Sequence, residues 1–230
     1  MIIIGKQFEI IPQNFYFRDT KKVAIDLLGK YIVHKTSKDL LIGKIVETEA
    51  YLGELDPACH AYQLKPSTKS RGAIFFEPPG TIYVYITYGI HHCFNVIAKP
   101  SNKLGGVLVR AIEPIYGKNT MIKNRGGVNN QNITNGPGKL CQAMQISLSN
   151  NNNPVYNGNL TIRKNIDVSS DNSPNYKKEI FVSTRIGISK AKDWMLRYFL
   201  ANNKYVSGSK NQNAMLVNLD DYLLKKIESS

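Results

Sequence analysis

Lys44 to Tyr51 read KIVETEAY, a β-type run that carries acids at alternate positions between apolar or small residues. The period of two puts Glu47, Glu49 and Tyr51 on one face of the strand and Val46, Thr48 and Ala50 on the other. A strand face with two acids must lie in water or meet cations. Val107 to Ile112 read VLVRAI, another strand pattern, in which Arg110 is the single charge. A cation in an apolar strand is costly to bury unless an acid pairs with it. Glu49 or Glu47 is its natural partner. From pattern alone an ordinary buried ion pair and a catalytic pair stay equally open.

Between these strands lies TIYVYITYGIHHCFNVIA, Thr81 to Ala98, which reads as a hairpin turning at Gly89. Ile82 to Tyr88 and His92 to Ala98 are its expected arms. Tyr83, Tyr85 and Thr87 share one face, and Val84, Ile86 and Tyr88 the other. Tyr83 suits an ordinary strand position. A tyrosine at a hairpin tip is badly placed to fill its own core and well placed to enter another molecule, such as the gap between base pairs. An acid, several aromatic rings and many cations within one short stretch suit a site that grips a flat ring on a polyanion.

Charge agrees. Thirty Lys and Arg against 17 Asp and Glu give a formal net charge of +13, which favours nucleic acid over acidic proteins or small neutral ligands. The 230 residues suffice for one well-buried core and are short for two, so 1–230 is expected to be one domain. Cys59, Cys93 and Cys141 form no CxxC pair and read as small buried hydrophobes in a reducing compartment. Cys59-His60 and His91-His92-Cys93 on extended chain point to opposite faces, so no metal site is expected from them. The short apolar run Met1–Ile4 lacks the form of a signal peptide, and no window approaches the ~20 apolar residues of a membrane helix. A cytoplasmic, nucleoid-associated protein is expected, and the Asn, Lys and Ile content suggests a bacterial source.

Other elements follow from caps and breakers. Asp19 or Thr20 can cap a helix that runs to Leu28 and stops at Gly29. Tyr31–His34, Leu40–Tyr51 and Val107–Ile112 read as strands. Leu52–Pro79 and the Asn- and Gly-rich 117–135 read as loops, as do 150–153 and 169–178. Gly136-Pro137-Gly138 introduces a helix over 139–146. Thr184–Ile188 reads as extended and Asp193–Leu200 as a short helix.

The run from Val46 to Asn95 resembles the alkyladenine (3-methyladenine) DNA glycosylase family, the methylpurine-DNA glycosylases. The resemblance rests on VETEAYLG, His60, RG at Arg71-Gly72, PGTIYVYITYG and CFN. It continues in the same order through GVLVRAIEP, GPGKLCQAM and RIGI at Arg185–Ile188, and so spans most of the chain.

The resemblance implies roles residue by residue. Glu49 would be the general base that activates water for attack on C1′, with Arg110 helping to hold that water and the carboxylate, and the Ile186 carbonyl a further water contact. Tyr51, His60 and Tyr85 would sandwich the extruded base, Asn95 would crowd the 2-amino group of guanine, and Tyr88 would fill the hole left in the duplex. His91 and His92 depart from the aromatic ring expected beside that wedge. Lys65, Lys69 and Arg71 are expected to meet phosphates, and Lys139 more weakly so.

The fold implied is α+β: a single mixed domain with a curved antiparallel sheet, flanking helices and a hairpin that enters the DNA minor groove. The activity implied is that of a monomeric, monofunctional glycosylase on double-stranded DNA containing damaged purines, with no membrane partner. No cofactor and no metal are called for, and no lysine sits at a matched pocket position. Two rivals predict differently. In a non-catalytic DNA binder, Glu49 and Arg110 would be a structural ion pair; in a nuclease, Glu47 and Glu49 would hold a metal.

Overall fold

The computed structural model of the chain describes residues 8–65, 69–165, 179–209 and 217–222. The expectations for Met1–Ile4 and for 169–178 lie outside these. Among the described residues ten antiparallel-paired strands form one sheet: β1 (Phe8–Ile10), β2 (Tyr31–Lys35), β3 (Leu40–Tyr51), β4 (Ile82–Thr87), β5 (His91–Ile97), β6 (Gly106–Tyr116), β7 (Leu160–Asn165), β8 (Ile180–Ser183), β9 (Arg197–Leu200) and β10 (Val217–Asn218). The main order is β1-β7-β2-β3-β6-β5-β4, and β9 joins β3 to the β8–β10 pair. Three helices of seven or eight residues, α1 (Thr20–Leu27), α2 (Lys118–Asn124) and α3 (Pro137–Ala143), complete an α+β fold. No helix among the described residues is long and apolar enough to cross a membrane.

β3 is the axis of the sheet. Its first half pairs with β2, its second half with β9, and β6 runs along its other edge. The register with β6 shifts between Ile45 and Glu47 and again between Glu47 and Thr48, leaving Val46 and Arg110 without ladder partners. Such irregularities bend a strand and re-aim its side chains, often next to functional sites. From Ile45 to Ala50 the strand is buried on both faces. On one face the Thr48 hydroxyl donates to the Ala24 carbonyl of α1 at 2.8 Å. The acids face the other way.

α1 begins where Asp19 accepts from the backbone N–H groups of Lys21 and Lys22, and Gly29 follows it in the left-handed region. β4 and β5 form the hairpin, with Tyr88, Gly89 and Ile90 as its loop. Tyr88 is 85% exposed and Ile90 73%, so the tip stands clear of the sheet. Asn151 closes the free edge of β4 by accepting the Val84 N–H at 2.9 Å, which gives the Asn-rich turn a structural task.

Several expectations change. Asp193–Leu200 contains β9, not a helix: Leu196, Tyr198 and Leu200 alternate into the core while Arg197 and Phe199 face the opposite side. Its aromatic residues on a buried pleat outweigh the helical spacing. The excursion 117–135 contains α2 and a short 3-10 turn, and Leu52–Pro79 contains 3-10 turns at Gly53–Leu55 and Arg71–Phe76. Thr184–Ile188 is a bend after β8 instead of a strand. The helix after Gly136 starts at Pro137, where a missing N–H costs nothing, and ends at Ala143.

Gly53 turns the chain as it leaves β3, with φ +70°, and a Cβ there would run into the Leu104 carbonyl. Gly53→Ala should therefore destabilise the protein by about 2 kcal/mol. Urea unfolding checks this, and an unchanged midpoint would contradict it.

Candidate active site

Glu47 and Glu49 are both fully buried, and Arg110 reaches both: its Nε lies 3.2 Å from Glu47 Oε1 and its Nη1 3.4 Å from Glu49 Oε1. Between Glu47 and Glu49 as the partner of Arg110, the structure shows a cation shared by both. Burial works against the charge on Arg110, and the carboxylates of Glu49 and Glu47 outweigh it, holding the guanidinium above its usual value.

The two acids have different surroundings. Glu47 accepts from Arg197 Nε at 2.6 Å, from the Ser207 N–H at 2.7 Å and from the Ser207 hydroxyl at 2.9 Å. Glu49 accepts from the Ile186 N–H at 2.9 Å and from the Tyr51 hydroxyl at 2.8 Å. Glu47 is thus a saturated structural acid. Glu49 sits one layer behind the wall of a cavity, shielded by Tyr51, Arg110 and Ile186.

That cavity has a volume of about 550 Å³ and is lined by Tyr51, His60, Tyr85, Asn95, Arg110 and Ile186, with Arg71, Tyr83, Cys93 and Tyr88 among its other walls. The volume suits a ring-sized ligand. A second, more apolar hollow of about 830 Å³ lies between α1 and Trp194–Leu196, away from the acid cluster.

Local sequence explains the walls. Ser70 caps the turn Arg71–Phe76 by accepting the Gly72 N–H, and a Cβ on Gly72 would strike the His60 carbonyl, so the RG pair lets that turn press against His60. His60 Nδ1 shares a hydrogen bond of 2.9 Å with the Tyr83 hydroxyl, and its ring meets Tyr85 edge-on at 4.8 Å. Burial, reinforced by the nearby Arg71 charge, lowers the His60 pKa from 6.5 to about 4. The imidazole is neutral at physiological pH. Burial also raises the Tyr51 and Tyr85 hydroxyls, the former helped by the Glu49 carboxylate. Asn95 is held by donating to the Tyr83 and Cys93 carbonyls at 3.0 and 3.2 Å.

Sequence reading missed four supports of this site. Arg185 makes a two-point buried pair with Asp56 at 2.5 and 2.9 Å and lies 4.6 Å from the Tyr51 ring centroid, backing the ring from behind. Arg197 and Ser207 hold Glu47. Each partner is remote in sequence, and the signal available was an arginine within an apolar run at Leu196–Leu200. Lys190 also lies at the cavity mouth, its Nζ 5.9 Å from the Tyr62 ring centroid.

The expected phosphate contacts differ among themselves. Lys65, Lys69 and Arg71 are exposed. Lys139 is half-buried, and its ammonium donates to Asn132 and Asn135, so it braces its own loop. His91 packs against Gly138 at the start of α3 and seats the hairpin there. Cys59, Cys93 and Cys141 are buried free thiols, and burial pushes Cys59 up to about 12. Among the described residues no three His, Cys, Asp or Glu side chains gather as a metal-holding group.

A cavity of this volume, a buried carboxylate behind it and an exposed aromatic at its rim suit an enzyme that works on a base turned out of nucleic acid. Comparison with known proteins agrees. The methylpurine-DNA glycosylase family matches residues 14–204. A protein of Carboxydothermus hydrogenoformans, named as a candidate 3-methyladenine DNA glycosylase, is 45% identical over 199 residues, covering 86% of this chain and 98% of its own. Proteins with the same name from Prosthecochloris aestuarii and Clostridium tetani are each 41% identical, over 198 and 209 residues. Both cover 86% of this chain, and 90% and 98% of their own lengths. The chain belongs to the methylpurine-DNA glycosylase family, hydrolases of N-glycosyl bonds in DNA.

The neutral His60 has a measurable consequence. Between pH 6.5 and about 4 the unfolded chain binds a proton that the folded site refuses, so its contribution to stability falls with pH across that window and is fully lost below it. His34 is lowered in the same way by burial and is retained in a His60→Asn variant, so its effect cancels from the difference between variant and wild type. His60→Asn should show a shallower loss of stability than wild type from pH 6.5 to 4. Equal slopes in pH-resolved unfolding would contradict the assignment.

Proposed function

We propose that the protein removes 3-methyladenine, hypoxanthine and similar damaged purines from duplex DNA, using a water activated by Glu49. The observation that carries this reading is Glu49 itself, a buried carboxylate fixed by Tyr51 and the Ile186 N–H directly behind the cavity wall. A flipped nucleotide with its base between Tyr51, His60 and Tyr85 would bring C1′ toward this wall. Water entering between Arg110, the Ile186 carbonyl and Glu49 gives its proton to Glu49 while its oxygen bonds to C1′. The C1′–N bond breaks, and its electron pair leaves with the base. Positive charge developing on the sugar is stabilised by the nearby carboxylate. A 3-methyladenine is already cationic and leaves as a neutral base, so it should depart faster than hypoxanthine.

Selection follows from the walls. Electron-rich rings favour cationic, electron-poor purines. Asn95, pinned by two backbone carbonyls, cannot turn aside for the 2-amino group of guanine. Tyr88 is held at φ +51°, a backbone region costly for a tyrosine, at the most exposed part of the hairpin. Such strain is consistent with a wedge that enters the minor groove where the nucleotide has left. Arg71 lines the same cavity as Tyr88, and with the exposed Lys65 and Lys69 a few residues before it in sequence it suits phosphates.

Glu47 fits the structural-pair reading, since its acceptor sites are filled. Glu49 does not, because its contact with Arg110 is its longest. In single-turnover assays with EDTA, Glu49→Gln should lose base release by about a thousandfold or more while binding damaged DNA as wild type does. Equal release by the two proteins would sink the proposal. Tyr88→Ala should instead weaken binding to lesion-containing duplex about tenfold, and unchanged binding would remove the wedge assignment.

A further inference from the structure

Arg110 is gripped unevenly. Its Nε edge donates to the Ser207 hydroxyl at 2.9 Å and faces Glu47 at 3.2 Å. Its Nη1 end is slack, 3.3 Å from the Ile186 carbonyl and 3.4 Å from Glu49, both longer than the ~2.8 Å of a strong charge-assisted contact. The tight edge is itself braced. Ser207 donates through its N–H and its hydroxyl to Glu47, and Arg197 donates to Glu47, to the Ser183 hydroxyl and to the Ser207 carbonyl. Arg197 is fully buried and lies 4.5 Å from the Phe199 ring centroid, so this brace has little freedom to move.

An arginine facing a lone buried carboxylate would close on it in a two-point pair, as Arg185 does on Asp56. The Ile186 N–H already occupies one lone pair of Glu49 Oε1 and the Tyr51 hydroxyl one of Oε2, so a two-point pair would fill the remaining two and leave none for a water proton. We propose that Glu47, fixed by Arg197 and Ser207, is a positioning residue for the reaction: it anchors the Nε edge of Arg110 and so stops the guanidinium from closing on Glu49. The first acid of the strand, Glu47, is therefore needed for the second, Glu49, to act as a base. Arg110 keeps one end on the brace and offers the other to water and to Glu49. This rests on Glu49 being the base.

The test measures single-turnover release of 3-methyladenine at saturating enzyme, with active sites titrated, beside affinity for duplex carrying an uncleavable abasic-site analogue. Ser207→Ala keeps all four charges and the backbone donor while removing the hydroxyl between Arg110 and Glu47. It should slow release about five- to tenfold, the worth of one hydrogen bond at this position, with affinity unchanged. Ser207→Thr restores a hydroxyl and should recover the rate. Glu47→Gln, where it folds, should slow release further, again without loss of affinity. Ser207→Ala releasing base at the wild-type rate overturns the proposal, as does rate and affinity falling together in every variant. If Glu49→Gln remains active in the same assay, the base assignment has failed instead, and the two failures are distinct.

Discussion

Four buried charges hold this molecule and its site together. Glu47, Glu49, Arg110 and Arg197 form a cluster of two carboxylates and two guanidiniums, three of them fully buried and the fourth 11% exposed in its side chain. Ion pairs removed from water are stable only when desolvation is offset by close geometry and by hydrogen bonds to the remaining donors and lone pairs. The cluster meets that demand by drawing on β3, β6, β9 and the segments around Ile186 and Ser207. The register shifts in β3 beside Glu47 and the β3–β9 pairing both serve it, since they bring strands distant in sequence to the same pair of acids.

The cavity in front of the cluster is built on a different principle. Its ring-bearing walls are neutral at physiological pH: His60 is kept uncharged by burial, and the tyrosine hydroxyls of Tyr51 and Tyr85 are kept protonated. Arg110 brings charge to one wall, and the rest is held behind, in Glu49 and in the Arg185–Asp56 pair that backs Tyr51. A base would stack on neutral rings while its sugar met the charged layer. Of the exposed cations, Arg71 and Lys190 line the cavity, whereas Lys65 and Lys69 are not among its walls and would be left for phosphates.

How much of this was legible in the sequence depends on range. β3 and the hairpin could be read directly, because alternation and a turn glycine are local signals. The involvement of an acid with Arg110 was also readable, since a lone cation in an apolar strand demands a partner. That one arginine would serve two acids was not, because it depends on the irregular β3–β6 register. Arg197 and Ser207 lie 150 and 160 residues from Glu47; the apolar run around Arg197 announces a buried cation but not its partner, and no local pattern announces Ser207. β9 was mistaken for a helix because its run is short and its partners β3 and β8 are distant in sequence. Lys139 reads in the sequence as a weaker phosphate contact, yet asparagines in its own loop take its ammonium.

A crystal structure of the protein on duplex DNA carrying a cationic pyrrolidine in place of the target sugar would test the central claim most directly. The account predicts the pyrrolidine nitrogen beside Glu49, with a water hydrogen-bonded at ~2.8 Å to the carboxylate and to Arg110 Nη1, Arg110 Nε still on Ser207, and Tyr88 within the base stack. A pyrrolidine bound elsewhere, or Glu49 closed off by a two-point pair with Arg110 and no room for water, would contradict it.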